Sequence, residues 1–218
     1  PNLKYDSIKG FIHISHVHSG PNVLVVNASQ PYKTLADLVK AAKASPGKLD
    51  YGYTHAASGH MAMELFKQTA GIFMTGIPYR GGGNILTDLV AGQIDVGVVA
   101  APVVTGMLAQ GRVKVLGVTS AARLPGLPSV PSLGETPSLK GMNLQTWGMI
   151  FGPSGMSDAV QQKLNATINT IVMQSGMAEQ RHKLGSTLDA TLTPAQARAF
   201  VLRERDIYRP AASRVKPE

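Results

Sequence analysis

Residues 49–71 read LDYGYTHAASGHMAMELFKQTAG, which is a short strand pattern, a polar turn and an amphipathic helix in succession. Residues 49–53 form the strand pattern, and residues 60–69 place apolar side chains at helical spacing. Gly71 follows at the position after a helix that favours glycine. This stretch therefore predicts one strand–turn–helix unit, and the neighbouring sequence repeats it.

The same alternation continues on both sides of this unit. Upstream, residues 22–27 read NVLVVN, a short β-branched run between Pro21 and Pro31, and Thr34 is the predicted N-cap of the helix that follows. Downstream, the pattern predicts strands at 72–77, 94–99 and 113–120 and helices at 84–91 and 103–110. Strands that alternate with helices of about ten residues indicate βαβ units, so the predicted fold is α/β with a mostly parallel sheet.

The alternation is interrupted after residue 122. Residues 123–140 contain prolines at positions 125, 128, 131 and 137, which predicts a long surface connection. A strand is then predicted at 145–151, and helices are predicted at 157–174, 177–184 and 194–213. The last third of the chain is therefore expected to be rich in helix.

The composition limits the classes of function. Of the 218 residues, 44% are hydrophobic and 16% charged, which is typical of an ordered globular protein with apolar runs too short to span a bilayer. Cysteine is absent, which excludes disulfides, thiolate nucleophiles and cysteine-ligated metals. The net charge is +8, but the basic residues are scattered and form no basic cluster. A diffuse field that attracts small anions is therefore the preferred interpretation, and nucleic-acid binding is not expected.

The first candidate site is the turn at 54–60, THAASGH, between a predicted strand and the start of a helix. A helix start presents unpaired N–H groups and a partial positive charge. Thr54, Ser58 and the amides near Gly59 are therefore candidates to hold a carboxylate. The alternative is that Ser58 is an ordinary N-cap, and the sequence alone does not decide between the two.

The second candidate site is the turn at 78–83, PYRGGG. Three glycines let the backbone approach a ligand closely, and Arg80 offers a bidentate fork for a carboxylate. Neither a Walker loop nor a dinucleotide fingerprint fits, because the lysine of the first and the glycine spacing of the second are missing. The alternative is a flexible turn. Both candidate turns follow parallel strands at the same sheet edge, which is where ligands of open α/β sheets bind.

Two other chemistries receive less support. His13, His16 and His18 suggest a metal, but in a strand only the last two share a face, and no acidic residue or cysteine nearby completes the ligand set. A polar strand face is therefore the preferred interpretation. A small hydrolase or isomerase could use Ser58 and His60, but no Gly-x-Ser-x-Gly elbow surrounds the serine. Neither catalysis, nor a metal, nor another cofactor is expected.

Short segments in a fixed order along nearly the whole chain carry a family resemblance. They are YD at 5–6, Phe11, GPNVLVVN at 20–27, KTL at 33–35, PGKL at 46–49, SGH at 58–60, ELF at 64–66, PYRG at 78–81, LTDL at 86–89, GQID at 92–95, LGVTS at 116–120, LPSVP at 127–131 and WG at 147–148. In this order and spacing they resemble the Bug family, the extracytoplasmic solute receptors of tripartite tricarboxylate transporters.

The resemblance implies a two-lobed, hinged receptor with a type II periplasmic-binding-protein fold and a periplasmic location. Such a receptor closes on a small organic carboxylate and delivers it to the membrane permease subunits of its transporter. The ligand is held by backbone amides and hydroxyls of strand-to-helix loops. The residues expected to bind it here are Thr54, His55, Ala57, Ser58, Gly59, His60, Tyr79, Arg80, Gly81 and Gly82.

The resemblance also implies a division of the chain. The family normally begins with a further segment that supplies most of the first lobe, and neither that segment nor a signal-peptide pattern occurs in residues 1–10. The expected parts are the remainder of the first lobe (1–20 and 145–218), the second α/β lobe (21–120) and a proline-rich connection (121–144). Either the chain is a truncated form, in the extreme case a remnant that binds nothing, or a second copy completes the first lobe as a homodimer.

Two smaller expectations follow from the same comparison. Hinge motion is expected at the strands near Ser120 and Gln145. Residues 100–102 read AAP where many members of the family carry an Asp-Asn pair. Without that carboxylate, a plain carboxylate is a more suitable ligand than one with an amine.

Overall fold

The computed structural model describes residues 4–140, 142–183 and 185–212, and strands alternate with helices as far as residue 118. The strands in these residues are β1 (Phe11–Asn27), β2 (Asp50–Thr54), β3 (Thr75–Tyr79), β4 (Val96–Ala100), β5 (Val113–Val118) and β6 (Gln145–Pro153). The α-helices are α1 (Leu35–Ala44), α2 (Ser58–Ala70), α3 (Gly82–Val90), α4 (Ala101–Ala109), α5 (Asp158–Val172), α6 (Ser175–Lys183) and α7 (Pro194–Ala212).

The sheet is mixed. Its order is β3-β2-β4-β1-β5, and β6 pairs with β1. β2 runs parallel to β3 and β4, whereas β1 runs antiparallel to β4, β5 and β6. The four strands β2 to β5 therefore share one direction, as the βαβ pattern predicts, and β1 is inserted against them.

β1 is 17 residues long and contributes to both halves of the molecule. As far as Pro21 it pairs with β6, and from Asn22 onward it lies between β4 and β5 and pairs with both. The prediction that this strand begins after Pro21 is therefore wrong. The proline is tolerated because it lies where β1 changes its neighbouring strands. Its missing N–H is therefore at the end of a hydrogen-bond ladder and not inside one.

Two apolar clusters cover the two faces of the sheet. Side chains alternate along β1, so Leu24 and Val26 face one cluster and Val23 and Val25 face the other. The first cluster includes Leu38 of α1 and Phe66 of α2, and the second includes Ile85 and Leu89 of α3 and Val104 of α4. Helices therefore pack on both faces, which holds β2, β3 and β4 in place with their carboxyl ends at a common edge.

The strand predicted at 72–77 begins three residues later, at Thr75. Ile72 and Met74 are buried, but they pack into the core from the loop that precedes β3. That loop starts at Gly71, which ends α2 in the left-handed conformation with φ 62°. The apolar pattern therefore predicted correctly that these positions are buried, but the prediction that they belong to the strand is wrong.

The proline-rich connection packs against the apolar cluster that contains α1 and α2. The Arg123 guanidinium lies 2.6 Å from the Glu135 carboxylate, and this hydrogen-bonded pair lowers the pKa of Glu135 to about 2. Leu133 and Leu144 are buried in the same cluster as α1 and α2. The connection therefore forms part of the core as well as part of the surface.

The remaining helices pack on the first part of β1. The Asn165 and Gln161 amides of α5 donate to the carbonyls of Ile14 (2.6 Å) and His13 (3.0 Å). α7 also contacts β1. Among the described residues, no helix has the length and apolar character required to cross a bilayer.

A capping box begins α1. The Thr34 hydroxyl accepts from the Asp37 N–H (3.2 Å), and the Asp37 carboxylate accepts from the Thr34 N–H (2.9 Å). Thr34→Ala should lower the free energy of unfolding by about 1 kcal/mol, because a first-turn N–H loses its partner. Urea unfolding measures this, with Thr170→Ala on the exposed surface of α5 as the control. Equal effects of the two substitutions would contradict the prediction.

Candidate functional site

Three helices begin at one edge of the sheet. β2, β3 and β4 end there, and α2, α3 and α4 follow them directly or after a short turn. The N-cap residues are Ala57, Gly81 and Ala100, and none of the three makes a side-chain cap hydrogen bond. α1 begins at the opposite edge and, in contrast, is capped by Thr34. No N-cap side chain therefore occupies the first-turn N–H groups of α2, α3 and α4, and α4 lacks one such N–H at Pro102.

Contacts show that these helix starts are neighbours. Ala100 lies opposite Asn22 in the β1–β4 ladder, and the Asn22 side-chain amide donates to the Ser58 hydroxyl (Nδ2–Oγ 3.1 Å). A Cβ on Gly82 would lie 3.3 Å from Cγ1 of Val103, so α3 begins against α4. The two predicted turns and the start of α4 thus form one surface, and the sequence analysis missed Asn22 as a member of it.

Ser58 is the first residue of α2 and not its N-cap, which is Ala57. The prediction that the helix begins at residue 60 is two residues late, and the interpretation of Ser58 as an ordinary N-cap is wrong. Its half-buried hydroxyl is paired with Asn22 and not with a helix N–H. The position of the Ser58 side chain is therefore fixed by a tertiary contact with β1 and not by helix capping.

The buried side chain of His60 holds the turn at 54–60 in shape. Its ring is 7% exposed, stacks on Tyr53 with centroids 3.9 Å apart, and accepts the Ala56 N–H at Nδ1 (3.4 Å). Ala56 has a φ of 54°, so this bond holds a backbone conformation that alanine rarely adopts. Burial lowers the pKa of His60. The half-buried ring of His55 lies beside it, with centroids 5.7 Å apart.

The same geometry argues against the catalytic alternative. The Ser58 hydroxyl is paired with Asn22 and the His60 ring with Ala56, so the two do not form a nucleophile–base pair. Glu64, whose carboxylate lies 4.0 Å from the His60 ring, is committed to Lys67 at 2.6 Å. A hydrolase or isomerase that uses Ser58 and His60 finds no support in this arrangement.

The second turn combines one anchored and one exposed side chain. The Tyr79 hydroxyl donates to the Asp88 carboxylate of α3 (2.8 Å), and burial together with this bond raises the pKa of Tyr79 to about 12. Arg80 is exposed at the start of the turn. A Cβ on Gly81 would meet no atom within 4 Å, so the backbone there is open to approach.

Two of the three histidines of β1, His13 and His16, pack against aromatic rings of other elements. The His16 ring lies 3.0 Å from the Ser19 hydroxyl and packs on Phe200 of α7, while the His13 ring packs on Phe151 of β6. Irregularities in the β1–β6 register interrupt the simple alternation of faces between these positions. Within the described parts of the chain, no group of three or more His, Cys, Asp or Glu side chains is placed to hold a metal.

Two cavities lie away from the candidate turns. One of about 600 Å³ is lined by Ser120 and Gln145, by Asn143 and by the segment at 187–190. The other, of about 510 Å³, is mainly apolar and has Trp147 in its wall. Neither is lined by the turns at 54–60 or 79–83, in which Ala56 and Arg80 are exposed.

Comparison with known proteins adds independent evidence. The family model described as tripartite tricarboxylate transporter family receptor matches residues 1–204. A UPF0065 protein in the tcbD-tcbE intergenic region of Pseudomonas sp. (strain P51) is 33% identical over 85% of this chain and 55% of its own length. Protein BugT of Bordetella pertussis is 27% identical over 94% of this chain and 62% of its own. The structure of R. palustris Rpa4515 with adipate has a TM-score of 0.90 at 26% identity and covers 97% of this chain and 71% of that one.

The mixed α/β sheet crossed by one long strand has the fold of the periplasmic-binding-protein class. The family model covers nearly the whole chain. The chain belongs to the tripartite tricarboxylate transporter receptor family, which includes the Bug proteins. The predicted fold class and family are confirmed, and the family is one of receptors and not of enzymes. The chain spans less than two thirds of the length of these two curated relatives.

Proposed function

We propose that this protein is an extracytoplasmic solute-binding protein that captures a small organic carboxylate for the permease of a tripartite tricarboxylate transporter. The observation that carries this proposal is the meeting of three helix starts without side-chain caps at one sheet edge, next to the Ser58 hydroxyl. Free N–H groups and the positive ends of helix dipoles favour an anion there. The net charge of +8 adds a weak long-range attraction for anions.

The two turns are proposed to offer the ligand different groups. Ser58 offers a hydroxyl, and the first turns of α2 and α3 offer backbone amides. Arg80 is exposed, so its guanidinium can reach a second carboxylate at the rim. His60 and Tyr79 are engaged within the lobe, so their proposed contribution is to hold the two turns in shape. The full proposed set is Thr54, His55, Ala57, Ser58, Gly59, His60, Tyr79, Arg80, Gly81 and Gly82.

The proposed ligand is a dicarboxylate without an amine. The start of α4 reads Ala100-Ala101-Pro102 and supplies no acidic group to pair with an ammonium. The Rpa4515 structure contains adipate, a linear dicarboxylate. Two separated sets of donors, one at the start of α2 and one around Arg80, suit a molecule with a carboxylate at each end.

The open edge requires a second wall, and we propose that the first lobe supplies it. The proposed parts are 1–20 with 145–218 as the remainder of that lobe, 21–120 as the second lobe and 121–144 as the connection, with a hinge near Ser120 and Gln145. α5 supports this division, because it exposes an apolar stripe whose members Val160, Leu164 and Ile171 are 48%, 36% and 45% exposed. Such a stripe normally lies against other protein. Additional structure like that of the longer relatives, or a second copy of the chain, would cover it.

A periplasmic location is part of the same proposal. A receptor that delivers a solute to a permease in the inner membrane must meet that solute on the outer side of the membrane. The absence of cysteine agrees with this location but does not require it, since exported domains of this size can be stable without disulfides.

Ligand binding is tested with a panel of carboxylates that includes adipate and malate. We expect at least one to raise the melting temperature and to bind in calorimetry with no product formed. Ser58→Ala should weaken that binding about tenfold, because one hydrogen bond to a charged group is lost. The control is Ser157→Ala at the start of α5, where the serine makes no side-chain cap bond either. Product formation that depends on Ser58 would instead support the enzyme alternative.

A further inference from the structure

We propose that Asn22 is a positioning residue of the ligand site, which acts by directing the proton of the Ser58 hydroxyl toward the bound carboxylate. This inference rests on the proposed function. Asn22 is 2% exposed and lies on β1, where the strand passes from the first lobe into the second. It is therefore shielded from solvent, and it acts on the ligand only through Ser58.

The direction of the hydrogen bond gives Asn22 this role. Its Nδ2 lies 3.1 Å from the Ser58 Oγ, whereas the reverse arrangement, with Ser58 donating to the Asn22 Oδ1, spans 3.4 Å. A serine hydroxyl has one hydrogen to donate and lone pairs to accept with. When the amide donates to the oxygen, the serine hydrogen is free to point elsewhere. A hydroxyl that accepts one bond is also a stronger donor in the next.

The backbone fixes Asn22 independently of its side chain. Its N–H donates to the Thr119 hydroxyl (2.9 Å), and its carbonyl accepts from the Thr119 N–H (3.0 Å). The Thr119 carbonyl also accepts from the N–H of Leu144, just before β6, and the Thr119 hydroxyl donates to the Leu144 carbonyl. Loss of the Asn22 side chain therefore leaves these strand contacts in place, and the substitution tests the amide–hydroxyl bond alone.

This network also connects the ligand site with the hinge. Thr119 is 1% exposed and lies at the end of β5, one residue before Ser120, where the chain leaves the second lobe. The Ser58 hydroxyl is thus connected, through Asn22 and Thr119, to the strands about which the lobes are proposed to move. A carboxylate that accepts a hydrogen bond from Ser58 would therefore act on Asn22, a buried residue of the crossing strand, through the Ser58 hydroxyl.

A double-mutant cycle tests the proposal. Affinity for adipate, or for the tightest carboxylate of the panel, is measured by calorimetry for the full gene product with Asn22→Ala, Ser58→Ala and both. We expect each single substitution to weaken binding about tenfold. We expect the double variant to be no weaker than Ser58→Ala alone, because Asn22 acts only through that hydroxyl. Asn22→Asp should weaken binding about a hundredfold, since the aspartate would accept the hydrogen bond of the Ser58 hydroxyl and add a negative charge beside the anion.

The matched control is Asn27→Ala. Asn27 is also on β1, and its amide also donates hydrogen bonds, to the carbonyls of Leu89 and Val90 at the opposite end of the sheet (both 3.0 Å). It should lower the melting temperature and leave the affinity unchanged. Multiplicative losses in the Asn22/Ser58 double variant, or unchanged affinity in Asn22→Ala, would overturn the positioning role. Failure of the unsubstituted protein to bind any carboxylate would instead overturn the proposed function itself.

Discussion

Gly59→Ala should lower the free energy of unfolding by about 2 kcal/mol and weaken carboxylate binding at least tenfold. A Cβ at this position would lie 2.6 Å from the carbonyl oxygen of Val98, a backbone atom of β4. That separation is far inside van der Waals contact, and a central strand of the sheet cannot move aside easily. α2 must therefore shift outward, and its first turn with Ser58 shifts with it.

The control for Gly59 is a glycine in another helix. Gly106 lies within α4, and a Cβ there would meet no atom within 4 Å. Gly106→Ala should therefore stabilise the protein by about 0.5–1 kcal/mol, because alanine restricts the unfolded chain and favours the helix. The same chemical change should thus have opposite signs at the two positions. Urea unfolding measures both, and calorimetry with the tightest carboxylate of the panel measures binding.

A stabilising effect of Gly59→Ala would show that α2 is not pressed against β4 as closely as described. Loss of stability with full affinity would show that the start of α2 can move without consequence for the ligand. The second outcome would remove the helix start from the binding site. The two measurements therefore separate the packing of α2 from its proposed function.

Local patterns in the sequence predicted which segments form strands and helices, but not how the strands pair. β2 and α2 follow from residues 49–71, because alternating and helical spacings act over a few neighbours. The antiparallel insertion of β1 between β4 and β5 depends on pairs that are 70 to 95 residues apart in sequence, and the run NVLVVN does not specify strand direction. Pro21 was treated as a boundary for the same reason. Only tertiary structure shows that β1 changes partners there.

The candidate site was predicted to the level of the sheet edge and no further. Polar turns after β2 and β3 are visible in the sequence, since parallel strands place their carboxyl ends together. Asn22 was missed because a single asparagine in an apolar run usually marks only a strand end. Its amide reaches Ser58 across 36 positions of sequence, and this pairing moves the serine from a capping role to a proposed ligand-binding role.

Acid should destabilise this protein, because three buried histidines and the half-buried His18 are favoured in the neutral form by the fold. Burial lowers the pKa of His13, His16, His18 and His60, and nearby arginine charges lower it further at His13 and His18. Buried side-chain nitrogens of His13 and His18 also have no hydrogen-bond partner in the described residues, so a proton there would gain no acceptor. The folded protein therefore binds fewer protons than the unfolded chain over a range below the ordinary histidine pKa.

The direction of the pH dependence follows from linkage. Stability is fully present above about pH 6.5, the pKa of an unfolded histidine, and is lost as the pH falls from there toward the lowered pKa values of the folded state. Each histidine that stays neutral in the folded protein contributes at most about 1.4 kcal/mol of loss per pH unit. Solvent screening of the partly exposed rings reduces the sum. Urea unfolding should therefore show a lower free energy of unfolding at about pH 5.5 than at about pH 7.5.

His16→Gln isolates one contribution to this slope. The His16 ring joins β1 to Phe200 of α7, so its loss should lower stability at neutral pH and also flatten the pH dependence. His182→Gln on the exposed side of α6 is the control, and it should retain the full slope. Stability that stays constant or rises as the pH falls would contradict the neutral state of these rings.

The affinity for a fully ionised carboxylate should also decline over the same pH range, because His60 accepts the Ala56 N–H and so holds the first turn in shape. The decline should come from the receptor and not from the ligand.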